Sequence, residues 1–460
     1  MTGSTLIRTA AVSAAVLLAA CGDDATAPRP PGAGAVDELA SGRKSSEDSL
    51  VQLVRQLTAG RGITPMPRPR PVRPALERLG QALAFDKILS GNRDISCMTC
   101  HLPVHGTSDG RSLSIGQGAT GLGPERVHPN GTFIPRNAPP LFNLSAMETL
   151  FWDGRVSRDA QGAFHTPAGA RLTPEMTQTF EFGAVSALAL FPVLNRAEMR
   201  ADAGNELAAI PDDRPDLVWA ALMRRLGGIG EYRKLFEAAY PGRRFDQMSF
   251  AHATNAIAGF MVARLSFNNS PWDRFLGGDD RALTAGQLRG AADFMSARCS
   301  ICHNGPALTD NLFHNVAVAQ VGPGQGDGDG LDDFGRERET GNPAERYAFR
   351  TPPLRNVELT APYGHDGAIV DLRDFIDHYS ESDLKLRSFD VNQLEALLRP
   401  TLRPTVEQIL ATRDTLLRGV VFPPQVVDEV TEFMRALTDP AARNLRRVTP
   451  RRVPSGLSVD

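Results

Sequence analysis

Cys97-Met98-Thr99-Cys100-His101 and Cys299-Ser300-Ile301-Cys302-His303 repeat one pattern in opposite halves of the chain and use four of its five cysteines. Two thiols spaced by two residues, followed at once by an imidazole, are what covalent haem attachment needs. The sulfurs add to the vinyl groups and the adjacent histidine binds the iron. A redox dithiol or half of a zinc site also uses Cys-x-x-Cys, but neither needs a histidine directly after the second cysteine in both copies. The spacing therefore predicts two covalently bound haem c groups, attached at Cys97, Cys100 and His101 and at Cys299, Cys302 and His303.

The elements that must carry these motifs read as helices. Pro74 can open a helix in which Leu76, Leu79 and Leu83 share a face, closed by Gly91-Asn92 before the first motif. Thr284-Ala285-Gly286-Gln287 has the form of a capping box, and Leu288, Ala291, Ala292 and Met295 then run directly into Cys299. Further amphipathic stretches cover residues 250–265 and 426–437, the latter with Val426, Val430, Phe433 and Leu437 in register. Intervals 102–145 and 304–350 are rich in Gly, Pro, Asn and Asp and predict loops folded around cofactor. The expected fold class is mainly α, two cytochrome c-like haem domains with long loops.

Residues 1–20 hold one basic residue, Arg8, and a short apolar run ending in Leu18-Ala19-Ala20-Cys21. That pattern predicts a bacterial lipoprotein signal cleaved before Cys21, whose lipid would hold the chain at the periplasmic side of a membrane. The run is short for a membrane span. Residues 21–72, ending in alternating Pro and Arg, predict a flexible tether. A composition change near Ser270-Pro271-Trp272-Asp273 and Gly277-Gly278-Asp279-Asp280 places a boundary between an N-terminal haem domain, 73–275, and a C-terminal one, 276–445, with a tail over 446–460. The net charge of -3, from interspersed 50 basic and 53 acidic residues, gives no sign of a nucleic-acid partner.

Leu79-Gly80, Leu89-Ser90-Gly91-Asn92, Ser108-Asp109-Gly110-Arg111, Arg136-Asn137-Ala138-Pro139 and Phe151-Trp152-Asp153-Gly154-Arg155 resemble the bacterial di-haem cytochrome c peroxidase and MauG family. In the second half, His303-Asn304-Gly305-Pro306, Thr351-Pro352-Pro353-Leu354-Arg355-Asn356 and Leu359-Thr360-Ala361-Pro362-Tyr363-Gly364-His365-Asp366-Gly367 are similar to its C-terminal domain. The likeness covers residues 75–380 and the last helix.

This resemblance implies roles. His101 would hold the first iron, leaving the other face for peroxide, and Glu198 matches the family's distal glutamate. Cleaving the O–O bond heterolytically needs a base that takes one proton and returns it to the departing oxygen, a task suited to a buried carboxyl of raised pKa. Composition alone would read Glu198 as a solvated acid at a helix start. Trp152 matches the tryptophan between the haems, although by itself a Trp here reads as core packing. His128 stands near the position of a loop histidine that caps the first haem at rest, and is otherwise a solvated histidine. If His128 does not reach the iron, no reductive activation is needed.

The sixth ligand of the second haem is methionine in the family's peroxidases and tyrosine in its MauG-like members. The matching residue here is Tyr379. Helical spacing puts Leu372, Phe375, Ile376 and Tyr379 on one face and turns His378 about 100° away. His378 is the alternative ligand if the helix ends early, and a core tyrosine is the bland reading. Anionic oxygen ligation would lower the potential that methionine raises.

The resemblance also implies one calcium ion, bound by Asn137 and the backbone carbonyls of Thr360 and Pro362. Asp327-Gly328-Asp329-Gly330-Leu331-Asp332-Asp333 looks like a second calcium loop, but without an EF-hand's distal glutamate a solvated flexible loop is expected. Residues 392–419 form an extra stretch with no assigned role. Three functions follow: reduction of hydrogen peroxide with electrons from a small cytochrome c or cupredoxin, MauG-like peroxide-dependent oxidation of a protein or small molecule, and a non-catalytic di-haem electron carrier. Homodimers occur in the family.

Overall fold

The structure, a computed structural model, describes residues 47–130 and 132–460. The expected signal, Cys21 and the start of the tether lie outside the described residues. Helices α1 (Glu47–Ala59) and α2 (Pro74–Phe85) precede α3 (Cys97–Cys100), the first Cys-x-x-Cys turn. Next come α4 (Ala184–Leu188) and α5 (Phe250–Arg264). In the second half, α6 (Ala285–Ser296) leads into the second Cys-x-x-Cys turn, α7 (Cys299–Cys302), and α8 (Leu372–His378) and α9 (Pro424–Ala436) follow. Long loops with short turns fill the intervals 102–145 and 304–350, as their composition predicts.

Each half crosses the helix ahead of its haem motif with a later helix, α2 with α5 and α6 with α9. Both crossings need a glycine. A Cβ on Gly80 would lie 1.8 Å from the Ala256 carbonyl oxygen, and one on Gly290 would lie 1.8 Å from that of Glu429. Backbone meets backbone there, so any side chain would push the pair apart. Pro74 starts α2 with its φ already set, and Leu76, Leu79 and Leu83 are fully buried. The capping box at α6 is present: Gln287 N–H donates to Thr284 Oγ1 at 3.2 Å, and Thr284 N–H to Gln287 Oε1 at 3.0 Å.

The expectation of an amphipathic helix over 250–265 is corrected. Every residue from Phe250 to Val262 is buried, because α2 covers one side of α5 and α4 another. A helix enclosed on all sides carries no polar face.

The tether expectation also fails from residue 47 onward. α1 packs on α6 through Leu50, Val51 and Val54, all buried. The Pro-rich run after it lies against the protein as a strap: Met66 N–H donates to Asp273 Oδ1 at 2.8 Å, and Arg61 bonds Ser300 inside the second haem motif. The tail is equally fixed. Gln81 donates to the Val448 carbonyl at 2.8 Å, Asp460 pairs with Lys87 at 2.6 Å, and its carboxylate accepts from Thr99 inside the first haem motif. The described residues thus form one unit, braced across both halves.

Strands are few. β1 (Thr149–Leu150), β2 (Val156–Arg158) and β3 (Phe164–His165) make a small antiparallel sheet in that order, and β4 (Phe313–His314) pairs antiparallel with β5 (Phe349–Arg350). Leu150 opposite Val156 leaves residues 151–155 as a tight loop. Trp152 rides on that loop.

A candidate redox site in two adjoining cavities

Two cavities surround the two motifs. The first, about 820 Å³, is walled by Cys97, Cys100, His101, Glu198, Met199 and Trp152, among others. The second, about 210 Å³, is walled by Cys299, Cys302, His303, Tyr379, Phe375 and again Trp152. Asn137, Pro140, Arg350, Pro352 and Pro353 also line both.

The two histidines are prepared in the same way. His101 Nδ1 lies 2.9 Å from the Thr107 carbonyl, and His303 Nδ1 lies 3.0 Å from the Leu308 carbonyl. A carbonyl only accepts, so Nδ1 carries the proton and Nε2 keeps the lone pair a metal needs. Thr107 and Leu308 both hold left-handed backbone, with φ of 62° and 56°, which turns each carbonyl toward its ring. Burial lowers both imidazoles, His303 to about 4, keeping them in the neutral ligand form.

Burial pushes Cys97 up to about 11 and Cys299 up to about 12, and Cys100 is raised too, where a reactive pair would be lowered. No disulfide joins the four cysteines.

Glu198 sits in a single π-helical turn, Arg196–Arg200, a geometry that recurs at functional sites. Asn195 starts the turn, its Oδ1 accepting from the N–H groups of Ala197 and Glu198 at 2.9 and 3.2 Å. Its Nδ2 donates to Glu198 Oε1 at 2.9 Å, which aims the carboxyl. The chain before it is clamped on: Gln117 N–H donates to the Glu198 carbonyl at 3.0 Å, and a Cβ on Gly116 would strike the Ala197 carbonyl at 1.8 Å. Burial raises the Glu198 carboxyl, partly opposed by Arg155 and Arg136.

Trp152 is held from both sides. Its Nε1–H donates to the Asn137 carbonyl at 3.0 Å, and its own carbonyl accepts from Arg350 N–H at 2.8 Å. Phe151 before it is left-handed, φ 64°, beneath the Arg155 guanidinium at 3.7 Å.

The profile of the di-haem cytochrome c peroxidase family matches residues 74–281. The methylamine utilization protein MauG of Methylorubrum extorquens is 31% identical over 316 residues, 68% of this chain and 71% of its own length. The cytochrome c551 peroxidase of Pseudomonas aeruginosa is 31% identical over 360 residues, 76% of this chain and 85% of its own. The chain belongs to the di-haem cytochrome c peroxidase family. Its fold agrees: a MauG-like protein associated with microbial copper homeostasis superposes with a TM-score of 0.59 at 27% identity, over 83% of this chain and 96% of that one. Two c-type haems go with membership of this family of oxidoreductases, and the neutral histidines and the unpaired, half-buried thiols on the cavity walls fit them.

Arg350 also fits this family's haems, and its sequence signal was missed. It immediately precedes the Thr351-Pro352-Pro353 motif, is 5% exposed, and lines both cavities. No carboxylate among the described residues pairs with it, and burial lowers it to about 10. Asp153, the one carboxylate that opposes this, is already paired with Arg136 and Arg155, and a buried cation so weakly countered is costly; haem propionates would supply more charge. Replacing Arg350 with methionine is expected to lower both haem potentials, because an oxidised iron loses a neighbouring positive charge. Spectroelectrochemical titration with both potentials unchanged would refute this pairing.

Leu372, Phe375 and Ile376 of α8 and Tyr379, which caps its C-terminus, line the second cavity, whereas His378 does not and its Nε2 bonds the Val316 carbonyl at 2.8 Å. The Tyr379 hydroxyl has no hydrogen-bond partner among the described residues, and burial raises it. His128 is not on the wall of the first cavity; its Nδ1 accepts from Asn130 N–H at 3.0 Å.

Asn137, Thr360 and Pro362 all border the second cavity. Asn137 Nδ2 donates to the carbonyls of Arg111 and Ser112 at 2.9 and 3.2 Å, which leaves Oδ1 free as an oxygen ligand. The Asp327–Asp333 loop is exposed at its tip, residues 328–331, as expected, but its acids are paired rather than free. Arg338 pairs with Asp327, Arg403 with Asp329 and Asp332, and Arg136 with Asp333. Residues 392–419 do have a place: Asp414, Leu416 and Leu417 close one side of the second cavity, and Leu394, Leu398 and Ile409 are buried beneath.

Proposed function

We propose that this chain is a di-haem c-type peroxidase reducing hydrogen peroxide to water with electrons from a small cytochrome c or cupredoxin. It comprises two cytochrome c-like domains, a peroxidatic one over 73–275 and an electron-transfer one over 276–445. Lipid on Cys21, exposed by removal of residues 1–20, holds it at the periplasmic side of a bacterial membrane. The haem irons, when bound, supply the redox chemistry. The chain's part is to position and to move protons.

The observation that carries this reading is Glu198 on the wall of the roomier cavity, beside the first haem motif. Its carboxylate takes a proton from incoming peroxide at an oxygen steered by Asn195 and returns it to the departing oxygen. Trp152, on both walls, offers an oxidisable ring between the centres. A calcium ion between Asn137 Oδ1 and the carbonyls of Thr360 and Pro362 would tie the halves together. Without a cavity histidine from His128, the first site is open at rest. A non-catalytic carrier has no use for a carboxyl in such a cavity.

The deciding experiment mixes the holoprotein with a reduced small cytochrome c and peroxide. Donor oxidation that depends on peroxide supports the reading, and its absence defeats it. Tyr379 favours a second reading, MauG-like oxidation of a partner, because tyrosinate at the second iron would favour higher oxidation states. Tyr379→Met is expected to raise that haem's potential by a fraction of the roughly 0.8 V that axial ligands span. An unchanged potential in a redox titration would remove Tyr379 from the iron.

A further inference from the structure

The chain has five tyrosines, Tyr232, Tyr240, Tyr347, Tyr363 and Tyr379. Three of them, Tyr347, Tyr363 and Tyr379, line the second cavity. Tyr363 donates its hydroxyl to the Val357 carbonyl at 3.1 Å, an acceptor that takes no proton at ordinary pH. Tyr232 has a carboxylate acceptor, Asp86 at 2.6 Å, but lines neither cavity. Tyr347 alone joins both properties. Its ring is on the cavity wall and its hydroxyl donates to Asp332 Oδ2 at 3.0 Å.

The site is built to hold that pair. Tyr347 is 3% exposed and has left-handed backbone, φ 59°, a strained state for a bulky residue that is kept only where the surroundings impose it. Phe334 packs edge-on against the ring at 5.6 Å and its carbonyl accepts Tyr347 N–H at 3.1 Å. Asp332, itself buried, is 3.4 Å from the Arg403 guanidinium, which also pairs with Asp329. The guanidinium faces Asp332 Oδ1, which leaves Oδ2 to the phenol, and it keeps a partner in Asp329 after Asp332 is neutralised.

We propose that Tyr347 is a redox-active residue that supplies an electron to the second haem site while its phenolic proton passes to Asp332. This rests on the peroxidase reading. Reducing hydrogen peroxide to two waters takes two electrons and two protons. When donor is scarce, one electron comes from Tyr347 and the other from the remaining donor, and both protons of the waters come from solvent. The Tyr347 O–H bond breaks, an O–H bond forms on Asp332, and a neutral tyrosyl radical faces a neutral carboxyl. Donor electrons later return the pair to its starting state.

The test is freeze-quench EPR of the holoprotein mixed with a single equivalent of peroxide and limiting donor, made with ordinary and ring-deuterated tyrosine. The expected signal is an organic radical that narrows on deuteration, is lost in Tyr347→Phe and is kept in Tyr363→Phe. Asp332→Asn retains the phenol but removes the base, and should slow radical formation on the order of 10²-fold. It also covers the case in which Tyr347→Phe fails to mature. A Soret band that responds to peroxide with no tyrosyl signal, a signal surviving in Tyr347→Phe, or an unchanged rate in Asp332→Asn overturns this inference and leaves the peroxidase reading standing. A Soret band indifferent to peroxide overturns both.

Discussion

Glu198→Gln is expected to slow peroxide turnover by about 10² to 10⁴-fold, the range over which a positioned proton-transfer group contributes. Glutamine keeps the size and can still meet Asn195, whose amide now aims the carboxylate at 2.9 Å. It cannot accept a proton. Peroxide affinity should change far less than the rate of the first step, since the loss falls on a group needed only while the O–O bond breaks. The pH profile separates this from mere damage. Burial raises the Glu198 carboxyl, so the ionised base is lost on acidification at a higher pH than for an exposed glutamate. Native protein should therefore show an acid limb in its rate, and Glu198→Gln should show a low rate without that limb. Stopped-flow measurement across pH reads both features. A variant with native rate, or a slow variant that keeps the limb, would assign the proton to another group.

How far the sequence discloses this site depends on the range of the interactions involved. The haem motifs are local chemistry: two sulfurs and an imidazole must have that spacing, so they are readable one residue at a time. The choice of Tyr379 over His378 is also local, because a helix period decides which of two neighbours faces the cavity, and here Tyr379 lines it. Glu198 needed the family resemblance, since nothing in Arg196-Ala197-Glu198-Met199 announces a π turn whose carboxyl is raised by burial. Long-range partners were out of reach. The strap over 47–72 reads as a tether because it is rich in Pro and Arg, yet α1 finds its apolar partner in α6, far along the chain. The ion pairs of the Asp327–Asp333 loop are hidden in the sequence because its arginines, Arg136, Arg338 and Arg403, come from elsewhere.

Arg136→Met is expected to destabilise the holoprotein at neutral pH by about 3–5 kcal/mol, the cost of breaking a buried ion pair from one side. Arg136 bonds Asp153 in its own half and Asp333 across the junction, the latter through Nε at 2.6 Å and Nη2 at 2.8 Å. All three side chains are at most 7% exposed. Burial pushes both carboxyls up, but Arg136, with Arg155 at Asp153, more than reverses it and leaves them below the usual range. A depressed carboxyl stabilises the fold above its unfolded value, near 3.9, and loses that contribution as pH falls through its folded value. Without the guanidinium the sign changes. Asp333 would be raised by burial alone, so the variant is penalised at neutral pH and recovers toward the native protein in acid. Denaturant midpoints at two pH values test this, and Asp333→Asn in the Arg136→Met background should restore part of the loss by removing the stranded charge. A loss under about 1 kcal/mol would make the network no better than a surface pair. The consequence reaches the redox path, because Asn137, next in sequence, holds Trp152 by its carbonyl and donates its N–H to His365 at 2.8 Å. Arg136→Met should therefore also slow electron passage between the two haems, which flash or stopped-flow reduction resolves from the stability change by working well below the unfolding midpoint.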